Sequence, residues 1–294
     1  MSEQPGIYER EALRLALPKG RIQEGVLALL AGAGVHVRIG ERGYRPRVSL
    51  PGLEAKILKP QNVVEMLAAG SRDVGFAGAD WVAELGADVV EVLDTGLDPV
   101  RLVAAAPAGA LRAGRLRPGP CVVASEYERL TRAWIASRGL EARFVRSYGA
   151  TEAFPPEDAD CIVDLAATGE TLRAQGLIAF DELSRSSTRL YASSVAMADA
   201  PRRRAIERLA MLLSSVLEAR ERVMLEVNVD AETLRQVVEG LPCMREPTIS
   251  RLHGEAGFAV KAAVPRSILP TLIPEIKARG GTDIVVSQLW QIVP

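Results

Sequence analysis

The feature that most constrains the fold is a regular alternation of strand-like and helix-like stretches over the first two-thirds of the chain. Short apolar runs such as "ALRLAL" (12–17), "DVGFAG" (73–78) and "CVVAS" (121–125) have the length and composition of buried strands. Between them lie stretches with helical spacing, for example "RIQEGVLALLAGAG" (21–34) and "EYERLTRAWIASRG" (126–139). This alternation predicts α/β layers with largely parallel sheets.

A loop rich in Gly, Pro and Arg interrupts the alternation at 108–120 and suggests a crossover between two α/β lobes. A single long helix is expected over 199–222, with Asp199 as a plausible N-cap. We therefore expect a first lobe from 1–103 with 183–222, and a second lobe from 104–182.

The last part of the chain, 223–294, has a pattern of its own. Its apolar and amphipathic stretches run strand, helix, strand, strand, helix, strand, which is the ferredoxin-like βαββαβ order. Pro274 lies inside the second helical stretch, where its ring is poorly tolerated, so we expect a kink or a late helix start there. Domains of this type often bind small regulatory ligands, although the fold alone does not establish a function.

Composition excludes several classes of function. The 294 residues carry 36 Lys and Arg against 37 Asp and Glu, which argues against nucleic acid or a membrane surface as a partner. No apolar stretch has the length of a membrane span, and the N-terminal residues show no signal-peptide core. Three widely separated cysteines form no disulfide framework, so a cytoplasmic protein is expected. Only two histidines are present, which excludes a histidine-rich metal site and disfavours a histidine-based triad.

The stretch "CIVDLAATGETLRAQGL" (161–177) carries the strongest chemical signal. An apolar run ends on Asp164, and small residues, a glycine and two hydroxyls follow before a helix-like tail. Such a loop lets an anion approach the backbone closely, while a carboxylate accepts hydrogen bonds from sugar hydroxyls or binds magnesium through water. A sugar phosphate satisfies both demands, although a capped helix after a buried strand has the same pattern. The loop residues are Ala167, Thr168, Gly169, Glu170 and Thr171.

Two further elements point to phosphate groups and close backbone approach. Lys19 and Arg21 flank Gly20 directly after the first strand, where paired cations suit a pyrophosphate, although a solvated turn has the same composition. In "DVGFAGADW" (73–81) the glycines permit close approach of a ligand, and Asp80 is either a site residue or the cap of the next helix.

Taken together, these segments resemble the ATP phosphoribosyltransferase family, the first enzyme of histidine biosynthesis. The similarity rests on "LPKGRI", "DVGFAGADWVAE", "SYGATEAFPPEDADCIVDLAATGETLRAQGL" and "LPCMREPTISRL", in the family's order over nearly the whole chain. The C-terminal βαββαβ unit resembles the regulatory domain of the long form. The resemblance implies a two-lobed catalytic part similar to periplasmic binding proteins, followed by a ferredoxin-like regulatory domain.

The resemblance also implies the reaction: the phosphoribosyl group of 5-phosphoribosyl-1-pyrophosphate (PRPP) is transferred to N1 of ATP, giving phosphoribosyl-ATP and pyrophosphate. Magnesium is required and is expected to be held through the substrate's pyrophosphate, without direct protein ligands. No covalent protein nucleophile is needed, since positioning and charge stabilisation suffice. Lys19, Arg21 and Asp164 would supply that electrostatic positioning.

Carried over by motif, the family's PRPP loop falls on Asp164 and residues 167–171, in the second lobe. Residues expected near ATP or pyrophosphate are Lys19, Gly20, Arg21, Lys59, Asp80, Arg101 and Glu152. Histidine, the feedback inhibitor, is expected at Thr248 and Ser250 in "EPTIS", and AMP is a further possible ligand. The resemblance implies a homo-oligomer, from dimer to hexamer.

The chain departs from the family pattern at "KPQN", where Lys59 and Asn62 replace the usual Arg and Asp. Lysine lacks the bidentate fork of arginine, which leaves open a phosphoribosyltransferase with another acceptor base. A non-catalytic ligand-binding protein of the periplasmic-binding type and an inactive homologue also remain open. The intact "TGET" loop and Asp164 favour an active enzyme.

Overall fold

The computed structural model of the chain describes residues 12–40 and 43–293, without the side chain of Glu255. The expectation of no signal-peptide core concerns residues 1–11 for the most part, which lie outside the described residues. The strands are β1 (Leu13–Pro18), β2 (Val37–Arg38), β3 (Arg47–Val48), β4 (Leu53–Leu58), β5 (Val74–Gly78), β6 (Val89–Pro107), β7 (Leu111–Arg112), β8 (Arg115–Leu116), β9 (Cys121–Ser125), β10 (Ala142–Arg146), β11 (Cys161–Ala166), β12 (Leu177–Ser193), β13 (Arg222–Val229), β14 (Thr248–Arg251), β15 (Phe258–Pro265) and β16 (Thr282–Gln288).

The helices alternate with the strands as the sequence predicts. They are α1 (Gln23–Gly32), α2 (Pro60–Ala68), α3 (Ala79–Leu85), α4 (Glu128–Arg138), α5 (Glu170–Ala174), α6 (Ser194–Ala198), α7 (Ala200–Glu221), α8 (Leu234–Val238) and α9 (Leu269–Ala278).

Within the described residues, the larger sheet has eight strands in the order β10-β9-β11-β6-β12-β5-β1-β4. At one end β10, β9 and β11 are parallel, and at the other end β5, β1 and β4 are parallel. The two long strands β6 and β12 lie between these groups and are antiparallel to each other and to both neighbours. This is the two-lobed, periplasmic-binding-protein-like α/β arrangement expected for the catalytic part.

The apolar stretches "DVVEVLDT" (88–95) and "VRLVAAAP" (100–107) predict two separate strands, but the structure joins them in the single long strand β6. The stretch "GLDP" (96–99) between them forms an irregularity within the strand: Gly96 and Asp98 adopt φ values of 63° and 49°. The register against β12 shifts near Ser186 and Thr188, so pairing continues across the irregularity. The sequence does not predict strand β12. Most of its residues are partly or fully exposed, so the strand contains no continuous apolar run that would mark it.

The long helix α7 confirms the expectation for 199–222. The carboxylate of Asp199 accepts a hydrogen bond from the backbone N–H of Arg202 at 2.9 Å, which is the expected N-capping contact. In the loop at 108–120, β7 and β8 form a short hairpin that the sequence did not predict.

The C-terminal strands form a second, four-stranded antiparallel sheet in the order β14-β15-β13-β16. With α8 and α9 this is the ferredoxin-like βαββαβ unit that the sequence predicts. Its core includes Val223, Leu225, Val260 and Val264 on the inward-facing positions of the central strands. The late helix start suggested for Pro274 is wrong, because α9 begins at Leu269 and contains that proline.

The described residues divide into two compact units, the first made of those up to 28 and those between 35 and 210, the second of 29–34 and those from 211 onward. The eight-stranded sheet lies in the first unit and the ferredoxin-like sheet in the second. The finer division into lobes at 103/104 and 182/183 stays a prediction.

Candidate active site

A cavity of about 290 Å³ in the first unit is the candidate active site. It lies at the carboxyl ends of strands β1, β5, β9 and β11, where ligands of open α/β sheets bind. Sequence-predicted residues from separate parts of the chain meet here. The lining residues are Lys19, Arg21, Ile22, Pro60, Gln61, Gly78, Asp80, Trp81, Glu126, Tyr127, Gly149, Ala150, Thr151, Asp164 and Leu165.

Asp164 lies near the end of β11 with a half-buried carboxylate. Burial raises the pKa of Asp164 to about 6, and the negative charges of Glu152 and Glu126 add to this rise. One hydrogen bond, from the backbone N–H of Leu165 at 2.7 Å, lowers the pKa in opposition. A carboxyl held this way is poised to accept donors from a ligand, since the protein satisfies it only partly.

Lys19 and Arg21 follow β1 on the other side of the cavity, and both are exposed. The backbone N–H of Lys19 donates to the carbonyl of Leu58 at 2.7 Å, and the Arg21 guanidinium lies 3.4 Å from the carbonyl of Asp98. Between them Gly20 has a φ of 94°, a conformation that favours glycine and turns both cations out of the strand. The Lys19 ammonium lies 6.0 Å from the ring centre of Tyr44.

Asp80 is buried and fully engaged by the protein. Its carboxylate accepts hydrogen bonds from the hydroxyl of Tyr127 at 2.7 Å and from the hydroxyl of Ser186 at 2.5 Å. The interpretation of Asp80 as a helix cap is wrong, because Gly78 is the N-cap of α3 and Asp80 lies in the first turn.

The glycines before Asp80 leave no room for a side chain, and Gly78 also lines the cavity. A Cβ on Gly75 would lie 2.9 Å from the side chains of Ala16 and Val63, and one on Gly78 would collide with the Asp80 carboxylate. Both positions therefore require glycine for packing, and close approach of a ligand to Gly78 stays a prediction.

Loop residues 167–171 are exposed, apart from the half-buried Gly169, and none of them is among the described lining residues of the cavity. Gly169 has a φ of 76° and begins α5. The Thr168 hydroxyl lies 3.4 Å from the backbone nitrogen of Glu170, and the Arg173 guanidinium donates to the Thr168 carbonyl at 3.1 Å. Ala167 and Thr171 complete an open loop that solvent reaches freely.

Three other predicted residues border the cavity without lining it. Lys59 is the N-cap residue of α2, next to the lining residue Pro60. Arg101 is paired with Glu182 at 3.4 Å, and its backbone lies opposite Ala166 at the end of β11. Glu152 lies in a short 3-10 turn beside the lining residue Thr151.

Sequence reasoning missed an aromatic and acidic part of the wall. Tyr127 stacks on Trp81 with ring centres 4.6 Å apart, and Glu126 precedes it directly after β9. Burial and the nearby Asp80 raise the pKa of Tyr127, so its hydroxyl stays a hydrogen-bond donor. The signal that could have found them was "SEYE" at the end of a buried strand, the same kind of position that Asp164 and Lys19 occupy.

The predicted histidine contacts lie in the second unit. Thr248 and Ser250 are exposed residues of β14, which lies at one edge of the four-stranded sheet and pairs with β15. Their side chains point to the same side of the strand because they are two residues apart.

The cavity combines cations, carboxylates and aromatic rings, without a nucleophile–base pair among its lining residues. In the described part of the chain no group of three or more His, Cys, Asp or Glu side chains could hold a metal ion, and no helix there is long and apolar enough to cross a bilayer. Fold and cavity together define an α/β protein whose site, with cations and carboxylates in its lining, suits a ligand that carries both phosphate and hydroxyl groups.

Comparison with known proteins gives the particular family. The family model for ATP phosphoribosyltransferase (HisG) matches residues 59–215, and the model for the HisG C-terminal domain matches 219–291. The ATP phosphoribosyltransferase of Chlorobium phaeobacteroides is 36% identical over 281 residues, covering 94% of this chain and 95% of the relative. That of Desulforudis audaxviator is 36% identical over 288 residues, covering 96% and 99%. A solved structure, the ATP phosphoribosyl transferase (HisG:HisZ) complex from Thermotoga maritima, aligns with a TM-score of 0.61 and 26% identity over 70% of this chain and 98% of that one.

The chain belongs to the ATP phosphoribosyltransferase family, in its long form with the C-terminal domain. The predicted reaction, transfer of the phosphoribosyl group from PRPP to ATP in histidine biosynthesis, is confirmed.

Proposed function

We propose that the cavity of the first unit carries out phosphoribosyl transfer with PRPP on the Asp164 side and ATP on the Lys19 side. One observation carries this proposal: the carboxylate of Asp164 and the cations Lys19 and Arg21, distant in sequence, line the same cavity. The two sides match the two halves of the reaction, a ribose with hydroxyl donors and a set of negatively charged phosphates.

On the PRPP side, Asp164 accepts hydrogen bonds from the ribose hydroxyls, and residues 167–171 surround the 5-phosphate. Gly169, Thr168 and Thr171 supply backbone and hydroxyl donors, and Arg173 adds a positive charge beside them. The ionised form of Asp164 is the acceptor, and the hydroxyl donors of bound ribose lower its pKa from the raised value of the free enzyme.

On the opposite side, Lys19 and Arg21 neutralise the pyrophosphate or the ATP phosphates, with Lys59 and Arg101 at the border. During transfer the bond from C1 of the ribose to N1 of adenine forms while the bond to the pyrophosphate oxygen breaks. Positive charge develops on the ribose ring and negative charge on the leaving pyrophosphate. Asp164 and the two cations stabilise these charges, while Asp80 holds Tyr127 in the cavity wall and Glu152 lies at the border.

Magnesium would enter with the pyrophosphate of PRPP. The described protein residues do not form a metal-binding group, so their donor set fits an ion held by the substrate. When bound, the ion would offset part of the pyrophosphate charge.

We also propose that the second unit is an allosteric domain that binds histidine at Thr248 and Ser250, and that the enzyme is a homo-oligomer between dimer and hexamer in the cytoplasm. The two exposed hydroxyls on one side of an edge strand support a polar ligand site. AMP, which shares adenosine and phosphate with ATP, would compete at the ATP side.

The experiment replaces both Thr168 and Thr171 with valine and measures PRPP affinity and thermal stability. Weakened PRPP binding with nearly unchanged stability is expected, because both side chains are exposed. Thr271→Val, another exposed threonine but in the second unit, is the matched control. Normal PRPP affinity in the double variant would reject the loop as a phosphate site.

Histidine binding is tested separately by following phosphoribosyl-ATP formation from ATP, PRPP and magnesium with and without histidine. Inhibition of the native enzyme and its loss in the Thr248→Ala/Ser250→Ala variant are expected. Full inhibition of the variant would reject these two contacts while leaving the catalytic proposal intact.

A further inference from the structure

We infer that Glu84 is a positioning residue for the transfer reaction. It acts through a set of contacts between α3 and α4, here called the clasp, that fixes the position of one group of parallel strands relative to the other. The clasp consists of Glu84, Arg129 and Asp80 with Tyr127. The inference rests on the proposed function, because it needs PRPP and ATP on opposite sides of the cavity.

The clasp joins helices that belong to different ends of the eight-stranded sheet. Helix α3 directly follows β5, whereas α4 lies between β9 and β10. The long strands β6, β12 and the neighbouring β11 separate β5 from β9 in the sheet. A contact between α3 and α4 therefore bridges the two sides that carry Lys19 and Asp164.

The first contact is a carboxylate at a helix N-terminus. Glu84 of α3 accepts hydrogen bonds from the backbone N–H groups of Arg129 and Leu130, at 2.9 and 3.0 Å, one on each carboxylate oxygen. These are donors of the first turn of α4, which have no partner inside the helix. Glu84 is 7% exposed, so the contact is shielded from solvent and competes little with water.

The second contact is the reverse of the first. The guanidinium of Arg129, from α4, donates to the carbonyl of Ala83 near the C-terminal end of α3. It lies beside Gly86, the C-cap of α3, where an added Cβ would be 3.0 Å from it. An acid from α3 thus satisfies the start of α4, and a base from α4 satisfies the end of α3, each with the favourable sign for the helix dipole.

The third contact reaches the cavity. Tyr127, which precedes α4, donates to Asp80 of α3 and stacks on Trp81, and all three line the cavity. The backbone N–H of Tyr127 donates to the Ser125 hydroxyl at 2.9 Å, and that hydroxyl donates to the carbonyl of Val163 at 2.6 Å. Val163 is the neighbour of Asp164, so hydrogen bonds connect Glu84, the start of α4 and the strand that carries Asp164.

The consequence is a division between binding and alignment. With Lys19 and Arg21 on the ATP phosphates, PRPP is bound by Asp164 and the adjacent loop on one side of the cavity, so loosening the clasp leaves its affinity nearly unchanged. Transfer needs the ATP side at reacting distance, and a displacement of about 1 Å costs up to ~100-fold in rate. Glu84 therefore acts on kcat.

The test is Glu84→Gln. The amide keeps one acceptor oxygen, but its NH2 group faces the second backbone N–H, so one contact is lost at nearly constant volume. We expect faster hydrogen exchange at the amides of Arg129 and Leu130, a fall in kcat of at least ~10-fold, and a PRPP dissociation constant within about threefold of the native value. Glu128→Gln is the matched control: it removes a carboxylate from the first turn of α4, the turn that Glu84 contacts, but the hydrogen bonds of Glu128 come from Arg132 and Arg146 and not from α3.

Native kcat in Glu84→Gln, or unchanged exchange at the two amides, would overturn the inference. A PRPP dissociation constant that rises as much as kcat falls would also overturn it, because Glu84 would then act on binding. If Glu84→Gln does not fold, Arg129→Met removes the other contact of the clasp, from the Arg129 guanidinium to the Ala83 carbonyl, at an exposed position. A native kcat in Arg129→Met would then overturn the inference. A native enzyme that forms no product rejects the proposed function instead, and the exchange measurement remains independent of it.

Discussion

The guanidinium of Arg14 and the carboxylate of Asp73 form a two-pronged ion pair, with nitrogen–oxygen distances of 3.0 and 2.7 Å. The backbone N–H of Arg14 donates to the same carboxylate at 2.8 Å, and Asp73 is only 1% exposed. Backbone hydrogen bonds also connect Asp73 to Arg14 and Ser193. This single residue therefore fixes the ends of β1, β5 and β12, the frame on which Lys19 and Asp80 are carried.

Replacing Asp73 with Asn should lower the free energy of unfolding by about 3 kcal/mol at pH 7, since it removes the buried charge that faces the Arg14 guanidinium. Burial opposes ionisation of Asp73, but the hydrogen bonds and charge of Arg14 outweigh it and hold its pKa below the usual value. The stabilisation is thus present above the unfolded-state pKa and is lost as the pH falls through the lower folded-state value. Urea unfolding at pH 7 and pH 3 measures both effects. Glu207→Gln, in an exposed pair with Arg203, should change stability by less than ~0.5 kcal/mol; equal losses in both variants would contradict the prediction.

Asp164→Asn should abolish transfer and yet stabilise the free enzyme at pH 8. The pKa of Asp164 is raised by burial to about 6, so the folded protein favours the protonated carboxyl. The contribution of Asp164 to the free energy of unfolding is therefore most favourable at low pH and is lost as the pH rises through 6. At pH 8 the ionised carboxylate lowers the free energy of unfolding by ~1–3 kcal/mol. The asparagine variant avoids that cost and can keep the contact with the Leu165 N–H. Urea unfolding should show a gain at pH 8 that disappears near pH 4, while the exposed control Asp158→Asn shows none. A destabilised Asp164→Asn at pH 8 would refute this.

Thr131→Val should raise stability by about 1 kcal/mol. The Thr131 hydroxyl is buried in α4 and has no hydrogen-bond partner among the described residues, so its desolvation is uncompensated. Valine has nearly the same shape without the polar atom. The comparison is Thr95→Val, whose buried hydroxyl donates to the carbonyl of Thr188 at 2.5 Å, so that its removal should destabilise the fold. Thermal unfolding should move in opposite directions for the two variants, and a loss in both would show that the Thr131 hydroxyl is satisfied.

Gly75→Ala should destabilise the first unit by ~1–3 kcal/mol through overpacking. The added Cβ would lie 2.9 Å from side-chain carbons of Ala16 and Val63, which are buried in β1 and α2 and cannot withdraw. Gly109→Ala meets nothing within 4 Å and is the matched control. Equal melting temperatures for the two variants would mean that the backbone at Gly75 has room that the structure does not show.

The sequence was most informative about elements whose pattern is local. The spacing of apolar residues predicted the strand–helix order, the long helix α7 and the complete βαββαβ unit, because each pattern depends on neighbours a few residues away. The same reasoning found Lys19, Arg21 and Asp164, since each polar residue lies at or just after the end of a strongly apolar strand. It failed for β12, whose partly exposed residues lack an apolar run, and for β6, where pairing with β12 joins two stretches that read as separate strands.

What the sequence determined by itself, then, is the set of secondary elements, their layered class and the chemical groups present at strand ends. Only the tertiary structure decided which of those groups meet. It brought Asp164 opposite Lys19 and Arg21, used Asp80 to hold Tyr127 instead of capping a helix, and set Glu84 on the first turn of α4. These contacts join residues far apart in the chain and depend on the order of the strands in the sheet, which no local period encodes. Local backbone and solvation preferences fix an element wherever it lies, whereas a site forms only when packing and hydrogen bonding of the whole sheet place distant elements side by side.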